Sequence, residues 1–585
     1  MGAACALFCA STQAQSQQRV EIPNAVTQPA QSEIEARQQA ETGRAVQPLG
    51  DTTIQFTSQR APANAAEIRF QLPGIDVRGA TVFDEAALSA SYGEDIGGEV
   101  TLARIYEIAG EIQALYRDAD YIFTRVVVPA QEIDGGVVAL EVIEARVTSV
   151  RIEEPDGPVG PVIALVEAMV EPIIGVTNPT GSMLERALLN VNEIPGITRA
   201  TAVPQADPDD ERGGLQIFVN VERESYEGAF FADNRQTQGI GRGLAGVTLQ
   251  FNGYSEAGDT TAITVLNSFA YRNDVTQSGV SDSALDFDER NTVQIVHQRN
   301  IGADGATIEG SALFSRTRPG DDLEDAGIQG EQVLFTAGVN YPVVRSRQVQ
   351  FNVKAGAEFL RSTTDVANGN LRVADDRLRV AAVAGDLVMR DAVGYTRANL
   401  SFRQGLDILD ASPNTAADRS RDDGRNDFSL IRGGIERLVI VNENFSFLGK
   451  FGGQYAFNPL LASEEFAIGG ISFGRGLDPS LFTGDDGIGL SGEMRYLVPV
   501  SIEDFAFTLE AFSFAEYGKI WNKGDGQPTT ADLLTLGGGV RLFFPEDYTL
   551  GLEVAAPAFV NPANSVPDTV EVGDPRLFVN FSKRF

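Results

Sequence analysis

The chain has 585 residues, enough for roughly two to four structural units, and 81 acidic residues outweigh 46 basic ones to give a formal charge of −35. That excess argues against nucleic-acid binding, which needs basic patches to displace counterions, and it fits a secreted or cell-surface protein rich in solvated loops. The 60 glycines and 34 phenylalanines, with Trp521 the single tryptophan, suit twisted strands with aromatic girdles, and composition alone suits a soluble β-rich protein equally.

At the N-terminus, Cys5 and Cys9 are the only cysteines, and both fall in the small, apolar stretch 2–10. That stretch and the small residues up to Gln15 resemble a secretory signal, residues 1–14, cleaved after Ala14 and lacking the usual basic start. Cleavage there leaves a chain with no cysteine, hence no disulfide, thiolate chemistry or cysteine-based metal site. Cys9 invites a lipoprotein reading, which Leu7-Phe8 fit poorly. No run of 18 apolar residues follows, which excludes a helical membrane protein. A membrane location would then require a closed barrel, because only closure satisfies every backbone polar group in lipid.

Residues 15–66 are rich in Gln, Ala, Pro and Ser and read as a linker. Within it, 32–41 has few helix breakers and reads either as a short polar helix or as part of a disordered arm. Residues 67–146 change character. Ile68-Arg69-Phe70 and Ile75-Asp76-Val77 alternate as strands do, Gly79 makes a turn, and Thr101 caps a helix with Leu102, Ile105, Ala109, Ile112 and Tyr116 on one face. Val126-Val127-Val128 and the stretch 137–143 read as strands. Residues 147–223 repeat the plan. Val150-Arg151-Ile152 opens it, 161–169 is a helix candidate, and Ser182-Met183-Leu184-Glu185 forms a capping-box pattern before a helix bearing Leu184, Leu188 and Val191. Pro195-Gly196 ends that helix, and 215–221 closes the module.

Helical periodicity stops near Ser225, and residues 224–585 alternate to the end. Phe445, Phe447, Phe451, Tyr455 and Phe457 share one face, with Ser446, Lys450 and Gln454 on the other. Val349, Phe351, Val353 and Phe359 lie opposite Gln350, Asn352, Lys354 and Glu358. Charges in mid-strand suit a wet lumen, and strands of about ten residues or more suit a tilted span. At roughly 22 residues per strand with its connection, this region holds about 16 strands. The acidic stretches 281–289, 321–325 and 418–427 read as solvated loops, and none has the spacing of a calcium loop.

Several stretches carry a resemblance. The first module contains Tyr116-Arg117-Asp118-Ala119-Asp120-Tyr121, then Thr124-Arg125-Val126 and Pro129-Ala130-Gln131, and ends in Leu140-Glu141-Val142-Ile143-Glu144. It resembles the first POTRA domain of two-partner secretion transporters, the hemolysin secretion/activation family, with Asp120 in place of the family's usual glycine. Leu184-Glu185-Arg186-Ala187-Leu188-Leu189 and Ile194-Pro195-Gly196 resemble the second. Ile468-Gly469-Gly470-Ile471-Ser472-Phe473-Gly474-Arg475-Gly476-Leu477 resembles the family's loop that folds back into the pore. Its tip Gly474, Arg475, Gly476, Leu477 keeps Arg and Gly but lacks the flanking Val and aromatic. Phe514-Ala515-Glu516-Tyr517-Gly518 resembles the family's Phe-x-Asp-x-Gly strand motif, with Glu516 for Asp. Phe505, Phe507 and Leu509 face lipid in this reading, so Glu510, Phe512, Phe514 and Glu516 face inward, and an Arg475–Glu516 pair is expected. Phe585, ending an alternating segment, resembles the insertion signal read by the barrel assembly machinery.

The resemblance covers residues 67–585. It implies a transmembrane antiparallel β-barrel preceded by two POTRA domains, in the outer membrane of a Gram-negative bacterium with the POTRA domains in the periplasm. It implies secretion of an unfolded partner exoprotein, hemolysin- or adhesin-like and β-helical, captured by strand addition to exposed sheet edges and passed through the pore. By analogy the helix at 32–41 would plug that pore. An assembly factor for other barrels is the alternative, although that class usually carries three or more modules. No cofactor is implied, and no Gly-rich phosphate loop with Lys is present. A Ser-His-Asp enzyme would have to use His297, the only histidine, which sits among Gln294, Val296 and Gln298 as a barrel-strand residue.

Overall fold

The computed structural model describes residues 59–585 except 134, 155–156, 158–159, 211, 272–284, 321–325, 503–504, 525–528 and 563–571. The expected signal, the helix at 32–41, the loop 321–325 and the start of the loop 281–289 lie outside the described residues.

The first module is built on one long helix, Leu102–Asp118. The Thr101 hydroxyl accepts from Arg104 N at 3.2 Å and caps it, satisfying one of the orphan N–H groups of the first turn. Ile105, Ile108, Ile112 and Tyr116 recur at helical spacing and are fully buried against a sheet ordered Ile75–Arg78, Val138–Ile143, Arg125–Val127. The outer two strands run parallel and antiparallel to the middle one, respectively. The second module repeats this. Strand Arg146–Glu153 pairs in parallel with Gly214–Arg223, which pairs antiparallel with Ile197–Ala206. Helices Ile163–Val170 and Gly181–Asn192 cover one face and bury Val166, Leu184, Val191 and Val219.

Two readings need correction here. The cap of the second helix is Thr180, whose hydroxyl accepts from Met183 N at 3.2 Å. Ser182 is already the second residue of the helix, so the Ser182–Glu185 pattern is displaced by two residues. Glu185 instead accepts from the backbone N of Arg347 in a barrel turn, at 2.6 Å. The edge strand Ile197–Ala206 escaped the sequence reading because its apolar residues are small and Pro204 interrupts it. That edge is blunted: the Asn192 side chain bonds both N and O of Ala200, and Pro204 has no N–H to offer.

Sixteen strands among the described residues close a barrel in chain order, the last pairing with the first. The alternation sets the faces. Phe335, Phe359, Leu400, Phe447, Phe451 and Tyr455 point outward and are exposed, as a lipid face requires. Inward lie Lys354 with Asp386, Lys450 with Glu436, and Arg403, which bridges Glu358 and Glu464. His297 stands on the outer face, its Nδ1 3.0 Å from the Thr261 hydroxyl. In the loop at 418–427, expected to be solvated, Asp418 and Asp422 are exposed, while other residues pack inward. Asn426 and Phe428 are buried, and Arg421 reaches Glu465 and Asp485.

The modules are joined to each other and to the barrel by polar contacts. Glu144 accepts from Thr81 N at 2.7 Å, Val82 N at 3.0 Å, Tyr116 OH at 2.8 Å and Asn178 Nδ2 at 2.8 Å, and from the Thr81 hydroxyl. Burial alone would raise its carboxyl, but the hydrogen bonds from Thr81, Asn178 and Val82 outweigh that and hold it below the usual carboxylate range. Asp120 has φ +70°, the left-handed region that glycine fills without strain. The departure from the family's glycine has a use. Its carboxylate accepts from Ser182 N at 3.0 Å and its carbonyl from Gly181 N at 2.9 Å, so the first module caps a helix of the second. The second module meets the barrel through Arg345–Glu193 at 3.1 Å and through Arg223, which donates to Asn252 O and Gly253 O.

Candidate functional site: a loop docked on the inner wall

Between strands Phe445–Ala456 and Asp486–Ile502 the chain does not cross directly. It forms a small hairpin, Phe466–Ile468 with Phe482–Gly484, and the residues between these strands turn into the lumen. The base is anchored by charge. Asp485 is fully buried and accepts from Leu460 N, Lys523 N and Arg421, and Arg403 holds Glu464.

The tip turns sharply. Gly474 and Gly476 have φ of +125° and +98°, and Leu477 N closes the turn on Gly474 O at 3.1 Å. The turn aims two successive backbone N–H groups, those of Gly474 and Arg475, at one carboxylate oxygen, Glu516 Oε2, both at 2.9 Å. Arg475 Nε donates to Glu516 Oε1 at 2.8 Å. Its Nη1 donates to Glu493 at 3.0 Å and Glu553 at 3.3 Å, and its guanidinium lies 3.5 Å from the Phe514 ring centroid. Glu516 is 2% exposed. Arg541 and Arg495 add to Glu493, Arg541 also binds Glu510, and Arg235 binds Glu553. Four arginines thus face four glutamates, which balances the charge of a cluster shielded from water. A cavity of about 140 Å³ opens beside it, bordered by Lys450, Ser472 and Asn580.

Each position of the strand motif has a physical task. Phe514 offers its ring to Arg475, Glu516 takes the tip, and Gly518 leaves room for Ile468, whose Cγ2 would lie 2.8 Å from any Cβ there. Leu477 stands where the family has an aromatic and is buried among Ile468, Phe482, Ile520 and Leu533. The loop's own aromatic is Phe473, one place before the tip, lying on the bare backbone of Gly452 and Gly489. Phe585, the expected insertion signal, closes the barrel through paired backbone bonds with Gly228 at 2.6 and 2.9 Å. Sequence reasoning did not reach Glu493, Glu553, Arg541 or Arg235. Glu493, Glu553 and Arg541 sit on the inward parity of their strands, which is the one signal they carried, and Arg235 lies in the turn after the first strand.

A closed barrel behind two α/β modules, with a loop drawn into its lumen, defines an outer-membrane transporter with periplasmic recognition domains. The ShlB-type POTRA domain profile matches residues 70–145, and that of the haemolysin secretion/activation protein family ShlB/FhaC/HecB matches residues 218–542, more than half of the chain. The chain belongs to this family. It is similar to the heme/hemopexin transporter protein HuxB of Haemophilus influenzae, 20% identical over 481 residues and covering 80% of each chain. It is also similar to the outer membrane transporter CdiB of Dickeya dadantii, 23% identical over 511 residues, covering 84% and 82%. Its fold is that of CdiB from Escherichia coli, with a TM-score of 0.68 at 16% identity over 95% and 97% of the two chains. The protein is an outer-membrane transporter that takes an exoprotein from the periplasm through its POTRA domains and secretes it through the barrel.

Proposed function

We propose that the loop tip is the gate of this export pore and that Gly474, Arg475, Gly476 and Leu477, with Phe514, Glu516 and Gly518, are its working parts. The observation that carries this is the grip of Glu516 on two tip amides and one guanidinium. A docked tip fills lumen that an exported chain needs, and every bond holding it runs to a few inward side chains. The functional division follows the two modules at 67–146 and 147–223 and the barrel at 224–585. Capture begins on the edge strand Arg125–Val127 of the first module; just past its end, the amide of Gln59 meets Val128 N and O, at 2.8 and 3.5 Å. A side-chain amide there occupies the place of an incoming strand. The cargo is a large β-helical protein that folds outside the cell and so draws its own chain outward, and the transporter performs no catalysis. Phe585 serves the assembly machinery that inserts the barrel.

The test pairs planar-bilayer conductance of the purified protein with export of the exoprotein encoded beside it. Glu516→Ala should raise the open-channel fraction severalfold, and Arg475→Ala should do the same while altering export. A protein that never conducts, whose gene deletion leaves export of every large surface protein intact, would refute the reading.

A further inference from the structure

The barrel has one weak line. Its first strand, Tyr226–Asp233, and last strand, Arg576–Arg584, share five paired residues. The first strand shares eight with Gly243–Asn252 on its other side, and the last shares eight with Tyr548–Asn561. Fewer ladder bonds mean a lower free energy of local opening. Past the end of this short ladder, side chains take over. Asn234, just beyond the first strand, bonds Leu577 O at 3.1 Å and Val579 N at 2.8 Å with its amide.

The loop touches the last strand directly and reaches the first only through Glu553, which stands on Tyr548–Asn561, the last strand's other neighbour. On the last strand, Arg576 Nη1 donates to Gly476 O at 3.3 Å and to Asp478 at 2.8 Å; both acceptors belong to the loop. From that neighbouring strand, Glu553 divides its two oxygens between Arg475 of the tip and Arg235, two residues past the first strand. Arg235 and Arg576 share the buried ring of Phe578, with guanidiniums 4.7 and 5.6 Å from its centroid. Two cations, one from each side of the seam, therefore meet at one ring. They are tolerated because Asp478 and Glu553 neutralise them, and Asp478 leaves with the loop.

We propose that the docked loop staples the first strand to the last, so that withdrawal of the tip and loosening of the seam are one event. Withdrawal strips Arg576 of Gly476 O and Asp478 and leaves it uncompensated beside the Phe578 ring it shares with Arg235, at the end of a ladder of five paired residues. The opening so made lets the lumen widen as a chain passes. This goes beyond the gating reading: a gate could move inside a rigid barrel.

Hydrogen exchange of the full-length protein in lipid nanodiscs reads this directly, with no dependence on export. In Arg576→Ala, amides of 229–233 and 578–584 should exchange about tenfold faster. Those of Gln329–Arg345 and Val349–Val366, paired over most of their length, should keep their rates. Asp478→Asn leaves both seam strands unaltered and should give the same pattern, which keeps the test available if Arg576→Ala does not assemble. Unchanged seam exchange in Asp478→Asn overturns the proposal. So does equal acceleration around the whole barrel, which would mean a general loss of stability.

Discussion

Two carboxylates in this molecule make the same grip in different company. Glu144, between the modules, and Glu516, in the lumen, each use one oxygen to accept two successive backbone N–H groups, Thr81–Val82 and Gly474–Arg475. Glu144 completes its shell with uncharged donors, Tyr116, Asn178 and the Thr81 hydroxyl. Glu516 completes its shell with the Ser491 hydroxyl and with a guanidinium that is itself buried and shared among three carboxylates. Neutral donors make a joint whose parts can each meet water if parted. A buried cation makes a contact in which losing one partner strands the other, so the contact is strong when docked and steep in its response to substitution. The first arrangement suits a permanent hinge pin, the second a contact with two states.

The comparison breaks first at Glu516. Glu516→Ala leaves Arg475 facing only Glu493 and Glu553 and frees two tip amides. It should weaken docking by about 3–5 kcal/mol, seen as persistent open-channel conductance. The double variant with Arg475→Ala should cost less than the two singles added together, because the stranded charge is gone too. Next is Glu144→Gln, which keeps the shape but replaces charge-assisted bonds with neutral ones. A loss of about 1.5–3 kcal/mol at the module joint should appear as faster hydrogen exchange at 79–83 and 176–182. The pH response has a definite sign. The Glu144 carboxyl is held low in the folded protein, so its contribution is present at neutral pH and is lost as pH falls through and below the carboxylate range. The same amides should lose protection on acidification in the native protein, and lose much less in Glu144→Gln. Glu516→Asp restores the family's residue and shortens the side chain by one methylene. With both tip bonds at 2.9 Å, one must lengthen, for about 1 kcal/mol and a modest rise in conductance. The smallest effect is expected for Asp120→Gly. Relief at φ +70° offsets the lost helix contact, so the melting temperature of the full chain should shift by no more than a few degrees.

How far the sequence could be read follows the range of each interaction. Alternation is local, so the lipid and lumen faces of Phe445–Ala456 or Phe505–Trp521 were legible from a dozen residues. The Thr101 cap was legible because its donor lies three residues away. Residue-by-residue resemblance brought Arg475 and Glu516 forward, though nothing local links residues 41 apart. The other members of the cluster come from strands far along the chain; Arg235 and Glu553 are separated by 318 residues. Their meeting depends on barrel closure and stagger, which parity alone does not set. The two local errors have different causes. The stretch at 179–185 offers Thr180 and Ser182 as rival caps, and only the backbone geometry chooses. At 418–427 the acidic pattern reads as wholly solvated because it hides Arg421, whose partners Glu465 and Asp485 lie 44 and 64 residues away.

The glycines under Phe473 bear on how the loop leaves. Gly452 and Gly489 pave the wall beneath that ring, and a Cβ on either would collide with it. An aromatic ring on bare backbone meets no knobs along its path, so friction there is low and interlocking is absent. What resists departure is the charge cluster at one end, the packing of Leu477 against Ile520 and Leu533, and the Asp485 anchor at the other end. Motion of this kind is a slide with a catch: a small push at the catch suffices to release a long travel. A methyl group on that wall, as in Gly489→Ala, should push the ring off its seat and raise the open-channel fraction without touching a single charge.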